Sequence, residues 1–303
     1  MKKKILSILS IICLLTGCSG GLPSLEPDHY LYEVKDVDGN VAYLLGATCF
    51  GPNRFVFDGL LKDAYEEVDS IVIELDYDIN QEEANISQEC YLSYPLSSYV
   101  GDEEFDRLWQ AIKEEYSIVT DQFLEMNAFY TRDAITLHLW EAVGLKNMYA
   151  IDYSLFTLAN DDGKEIHEVM SYSEFCERTS ILGKDYPKLI LASLLDCNAQ
   201  EDYLEKYMSL YYLGTLDEIT IRNTMIDLDH IPLEYQTSGV IEEAKTYPIS
   251  SFGPTNEEIV EAMENYMKQE KTLVAVSVDH LFGENNVITL LEDKGYTVTK
   301  CKE

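Results

Sequence analysis

Short apolar runs alternating with segments of helical period leave this chain few architectures. Tyr30 to Lys35 and Val41 to Gly46 have strand character, and the Asp-Gly step in Asp36-Val37-Asp38-Gly39-Asn40 between them marks a hairpin. Asp58 to Asp69 has helical spacing and leads into the apolar strand Ser70 to Leu75. Phe105, Leu108, Trp109 and Ile112 recur at helical intervals, as do Tyr203, Tyr207 and Tyr211, so residues 102–146 and 171–245 are predicted to be mostly helical. The tyrosine spacing reads as a packing stripe, with a carbohydrate-stacking face as the alternative. Strands are expected over Met148 to Asp152, Glu165 to Val169, Thr272 to Ser277 and Tyr296 to Cys301, and helices over Asn256 to Lys268 and Glu284 to Lys294. The predicted class is α/β with α+β character: a mixed sheet built from N- and C-terminal βα segments, flanked by a large helical middle region over 102–245.

Ahead of this pattern, Met1-Lys2-Lys3-Lys4 precedes an apolar run from Ile5 to Leu15 and then Thr16-Gly17-Cys18. A basic start, an apolar stretch of about ten residues and small residues at the cut describe a secretory signal, too short to span a bilayer. Leu15-Thr16-Gly17-Cys18 resembles the lipobox of bacterial lipoproteins. The expected layout is a signal peptide over 1–17, a tether over 18–28 lipidated on Cys18, and one domain over 29–303. Cys18 would then hold the chain on the extracytoplasmic face of the cell membrane. Acyl chains contribute about 0.8 kcal/mol per buried methylene, so diacylglycerol anchors stably where a single chain is marginal.

The formal charge is −33, and losing residues 1–17 removes three lysines and no acid, which takes it to −36. No Lys/Arg-rich segment occurs, so nucleic acid is excluded as a partner, and anionic headgroups should repel the domain. Such acidity suits capture of cations or basic peptides, or simply a solvated, self-repelling surface. Of seven cysteines, five remain once Cys13 is cleaved off and Cys18 lipidated: Cys49, Cys90, Cys176, Cys197 and Cys301. The odd number, wide spacing and lack of Cys-x-x-Cys exclude a disulfide framework and a zinc ribbon.

Ligands of open α/β sheets bind beyond the carboxyl ends of strands. Three such ends here carry reactive groups: Val41 to Gly46 runs to Cys49, Ile71 to Ile73 runs to Glu74 and Asp76, and Leu273 to Val276 runs to Asp279 and His280. Taken singly, Cys49 reads as a small buried apolar residue, Glu74 as a cap or ion pair and His280 as a structural histidine. Together, they form a candidate metal-ligand or acid–base set.

These segments resemble the TraB/GumN family, related to the Tiki proteins and to the EreA/ChaN-like fold. Tyr43-Leu44-Leu45-Gly46-Ala47-Thr48-Cys49 is similar to its Tyr-Leu-Leu-Gly-Thr-x-His, Ile73-Glu74-Leu75-Asp76 to its Val-Glu-Leu-Asp, and Ala275 to Gly283 to its Ala-Val-Gly-x-Gly-His-Leu-x-Gly. Ala150-Ile151-Asp152 with Gly163-Lys164, and the closing Val287 to Val298, also fit. The resemblance implies a site of two Gly-x-x-His motifs and a Glu, used by Tiki-type members for metal-dependent peptide cleavage. It implies Glu74 and His280 as catalytic residues, and Cys49, Glu74 and His280 as ligands of zinc or manganese. Departures fall at that site: Cys49 replaces the first His, Ser277 the opening Gly of the second motif, Thr255 an Arg and Met170 a Glu. Two functions follow from this. One is a membrane-anchored, metal-dependent hydrolase of peptidase type with a weakened site. The other is a catalytically silent lipoprotein that binds a peptide or another envelope component in the same cleft. A serine hydrolase is not expected, since no Gly-x-Ser-x-Gly elbow occurs.

Overall fold

A computed structural model describes residues 28–52, 57, 59–75, 94–142, 144–146, 150–195, 197–216, 226, 228–247 and 253–302. The leader, Cys18 and the tether through residue 27 lie outside these, as do Asp76 and Cys90. The strands are β1 (Leu31–Lys35), β2 (Val41–Ala47), β3 (Gly51–Pro52), β4 (Ser70–Leu75), β5 (Leu145–Lys146), β6 (Glu165–Met170), β7 (Thr272–Ser277) and β8 (Thr297–Lys300). Six of them form one mixed sheet in the order β6-β4-β7-β2-β1-β8, and β3 with β5 makes a small ribbon. The central four run parallel, so their carboxyl ends share one edge, while β1 and β8 add antiparallel strands beyond β2. The expected class of fold is therefore observed.

Central strands covered on both faces must be apolar at every position rather than at alternate ones. Ile71, Val72 and Ile73 of β4 and Leu273, Val274 and Ala275 of β7 are all fully buried. Helices Ile151–Asp162 and Asn256–Met267 supply cover, the first packing on β4 and β6 and the second on β7, β2 and β6. The β1–β2 hairpin closes through Asp36, whose Oδ1 accepts from the amides of Asp38 (2.9 Å) and Asn40 (2.8 Å), while Gly39 takes φ 92°. A left-handed φ there suits glycine because it lacks Cβ.

The strand expected over Met148 to Asp152 is corrected. Among the described residues of that span, Ala150 is extended and Ile151 opens a helix. Ile151, Leu155 and Ala159, four apart, are buried together, and Gly163 in a left-handed conformation ends the helix. This i, i+4 burial overrides the short apolar run that suggests a strand.

The middle region is helical, as its periodicity predicts. Helix Pro187–Ala192 lies at its centre, with Leu189, Ile190, Leu191 and Ala192 all fully buried against helices Ala128–Ala142, Tyr172–Asp185 and Ser238–Thr246. A helix apolar all round must be surrounded, and this one is. Lys188 links it to Asp102 (2.9 Å) and Glu104 (3.6 Å), and Glu104 accepts from the Gly239 amide at the start of Ser238–Thr246 (2.8 Å). Among the described residues, no helix is long and apolar enough to cross a membrane.

Glu243 sits in this helical layer, where burial pushes its pKa up to about 7 against the lowering effect of the Leu189 amide, which donates to it (2.7 Å). A carboxyl whose pKa is higher folded than unfolded stabilises the fold most when protonated, so its contribution falls as pH rises towards about 7. Glu243→Gln keeps an acceptor for Leu189 and removes the charge. Chemical denaturation should show this variant gaining about 2 kcal/mol relative to the wild type between pH 5 and pH 8. A constant difference across that range would show that Glu243 does not titrate there.

Candidate functional site

The shared carboxyl edge of the parallel strands places three reactive segments side by side. In register, Ala47 of β2 lies beside Ser277 of β7, and Ile73 of β4 beside Ala275. Glu74 is therefore near the end of its strand. His280 follows β7 on the short 3₁₀ turn Val278–Leu281, and Cys49 lies two residues beyond β2.

Gly46 makes this arrangement possible. A Cβ there would lie 2.5 Å from Leu281 Cδ1 and 2.9 Å from Val278 Cγ2, so only glycine lets the turn carrying His280 fold back over β2. The Gly46 carbonyl accepts from the Tyr211 hydroxyl (2.7 Å), and Tyr211 stacks on Tyr30 at 5.2 Å. Tyr207, one turn earlier, donates to Asp279 Oδ1 (3.0 Å). Both tyrosine rings are buried, so these two members of the stripe pack against the site loops and offer no sugar-stacking face. The Tyr203 side chain lies outside the described residues.

Glu74 and His280 meet directly: Oε1 is 3.2 Å from Nε2, and the same oxygen accepts from the Ser277 amide (2.5 Å). The other ring nitrogen, Nδ1, is 2.6 Å from Asn256 Oδ1. The Asn256 amide is oriented, because its Nδ2 donates to the carbonyl of Asn285 (2.9 Å), a residue with φ 55°. An oxygen therefore faces Nδ1 and a carboxylate faces Nε2, an arrangement that favours the protonated ring. Desolvation opposes that, but the hydrogen bond and charge of Glu74, helped by Asp279, outweigh it, and the pKa of His280 is raised.

Cys49 stands apart. It is exposed, yet protein atoms crowd its thiol. That crowding raises its thiol pKa well above the ordinary value, and the charges of Asp152, Asp279 and Glu74 add to the effect. Asp152 is brought near by the first turn of Ile151–Asp162, whose Ile151 amide donates to Thr48 O (3.3 Å). Among the described residues, no third His, Cys, Asp or Glu joins Glu74 and His280 in a group with ligand atoms within 4.8 Å.

The departures from the family pattern have structural uses. Thr255 caps Asn256–Met267, accepting from the Glu258 amide (3.2 Å) while Glu258 accepts from Thr255 N (2.7 Å). Met170 ends β6 beside Leu75 and is buried, so it adds apolar contact where a carboxylate would add charge. Arg178, absent from the candidate set, binds Gly253 O (3.0 Å), Glu258 (2.7 Å) and Glu174 (2.6 Å). Gly253 borders Glu74, so Arg178 braces the wall behind the pair with its guanidinium committed to that role.

The geometry defines an α/β protein with a glutamate–histidine pair at the carboxyl edge of its parallel strands, near the carboxylates of Asp152 and Asp279. The model of the TraB/PrgY/gumN family matches residues 30–300, and the chain belongs to that family. No curated protein and no solved structure gives a significant match.

Because Gly46 has no room for a methyl group, Gly46→Ala must shift the Leu281 and Val278 side chains of the turn that covers it. Overpacking of this kind costs about 1–3 kcal/mol. The expected result is a lowered melting temperature. An unchanged melting temperature would show that the turn yields freely.

Proposed function

We propose that the chain is a lipid-anchored, extracytoplasmic member of its family that binds a peptide or another envelope component at the Glu74–His280 edge, with metal-dependent hydrolysis weakened or lost. The observation that carries this is the double commitment of His280. Asn256 holds Nδ1 and Glu74 holds Nε2, and among the described residues no third ligand, Cys49 included, joins Glu74 and His280 in a group. Activating water on zinc or manganese takes about three oriented protein ligands and an open position, and the residues present do not fit that requirement. The cysteine's raised pKa works against thiolate ligation as well. Binding needs none of this. Glu74, Asp152 and Asp279 at this edge favour a ligand with positive charge, such as a peptide amino terminus or a basic side chain.

Peptide-library cleavage with manganese present should detect little or no turnover by the wild type or by Glu74→Ala. Robust wild-type cleavage that disappears in Glu74→Ala would overturn the binding reading and establish a cysteine-variant metallohydrolase. The anchor is tested separately. Cys18→Ala should release the protein from the membrane fraction, and the wild type should carry lipid mass on its first mature residue. Retention of the variant in the membrane, with no lipid mass on the wild type, would refute the anchor.

A further inference from the structure

We infer that Glu165, His167 and Glu270 form a binding site for a divalent cation of zinc type, at the opposite end of the sheet from the Glu74–His280 pair. Glu165 and His167, two apart on β6, project from the same face of the strand. Glu165 pairs with Ser70 at the start of β4, and Ser70 pairs on its other side with Thr272, so Glu270, two residues ahead of Thr272, reaches the pair from beyond β4. The three side chains offer ligand atoms that all lie within 4.8 Å of one another. His167 Nε2 is 3.0 Å from Glu270 Oε1 and 3.7 Å from Glu165 Oε2. A tetrahedral zinc ion with bonds of about 2.0–2.2 Å sets its ligand atoms about 3.4 Å apart, so the two spacings bracket the required one.

Three further features suit an ion. The His167 ring is held flat on Tyr266, with centroids 4.1 Å apart and planes at 13°, which fixes the direction of Nε2 before anything binds. Among the described residues, no Lys or Arg pairs with Glu165 or Glu270, so their charge is not balanced by a fixed cation. The Ser70 hydroxyl, fully buried beside Glu270, has no hydrogen-bond partner among the described residues. One imidazole and two carboxylates are a borderline-to-hard set that zinc accepts, with a position left for water. His167 and Glu270 are 23% exposed and Glu165 72%, so the site is open to solvent. It is separate from the other edge, because β6 rises about 3.3 Å per residue and five residues part Glu165 from Met170. An ion here would tie edge strand β6 to the segment entering β7.

The full chain, purified in detergent and stripped with chelator, is titrated with zinc by calorimetry at pH 7.5, alongside Glu165→Gln, His167→Gln and Glu74→Gln. The wild type should bind one equivalent at this site and melt at a higher temperature with zinc. Glu165→Gln and His167→Gln should weaken that equivalent by about tenfold or more and abolish the thermal shift, while Glu74→Gln retains both. Glu165 is exposed enough that its variant should fold, which circular dichroism checks. Absence of zinc binding by the wild type, or an isotherm unchanged in both β6 variants, would overturn the inference. Loss in Glu74→Gln alone would assign the zinc to the other edge and count against both this site and the binding reading above.

Discussion

Parallel pairing of β4, β7 and β2 decides where this protein can do chemistry. Each strand is buried on both faces, so its side chains have no reactive surface until the backbone leaves the ladder. Because the strands run the same way, they leave it at the same edge, and Glu74, His280 and the approach to Cys49 emerge together. Gly46 then acts as the hinge point of the edge. Its missing Cβ admits the turn that carries His280, and its carbonyl anchors Tyr211. Much of the helical cover serves this geometry: Tyr207 positions Asp279, Asn256 positions the imidazole, and Arg178 braces the segment at Gly253.

The electrostatics of the edge separate recognition from catalysis. Glu74, helped by Asp279, raises the pKa of His280 against the desolvation that lowers it. On the proposed binding reading such a site would orient a ligand through charge and hydrogen bonds, whereas metal-activated hydrolysis requires the same nitrogen to be deprotonated and joined by two more donors. The substitutions relative to the family pattern fall on this side of the balance. Thr255 and Met170 strengthen a helix start and a strand end, and neither adds a charge to that edge.

Sheet and helices were largely readable from period. Ser70 to Leu75 and Thr272 to Ser277 are strands with the predicted bounds, because an uninterrupted apolar run suits a strand covered on both faces. The error at Ile151 has the same root: a short apolar run does not distinguish a strand from the buried stripe of a helix, and only the partners of Leu155 and Ala159 decide. Asn256 carried no signal as a histidine partner, since its role depends on Asn285 and His280 lying across the start of one helix. The Glu165–His167–Glu270 group was equally hidden. Glu270 lies more than a hundred residues from Glu165 and His167, and the three meet only because β6 and β7 flank β4.

The sequence by itself determined the strand–helix alternation, the family and the residues standing at the strand ends, because period, apolar content and motif order are properties of neighbours along the chain. The tertiary structure alone decided that Glu74 and His280 meet at 3.2 Å while Cys49 joins no ligand group with them among the described residues. That outcome rests on distances of a few ångströms and on which hydrogen-bond acceptor faces each ring nitrogen, and both are set by parallel register and helix docking between segments about two hundred residues apart.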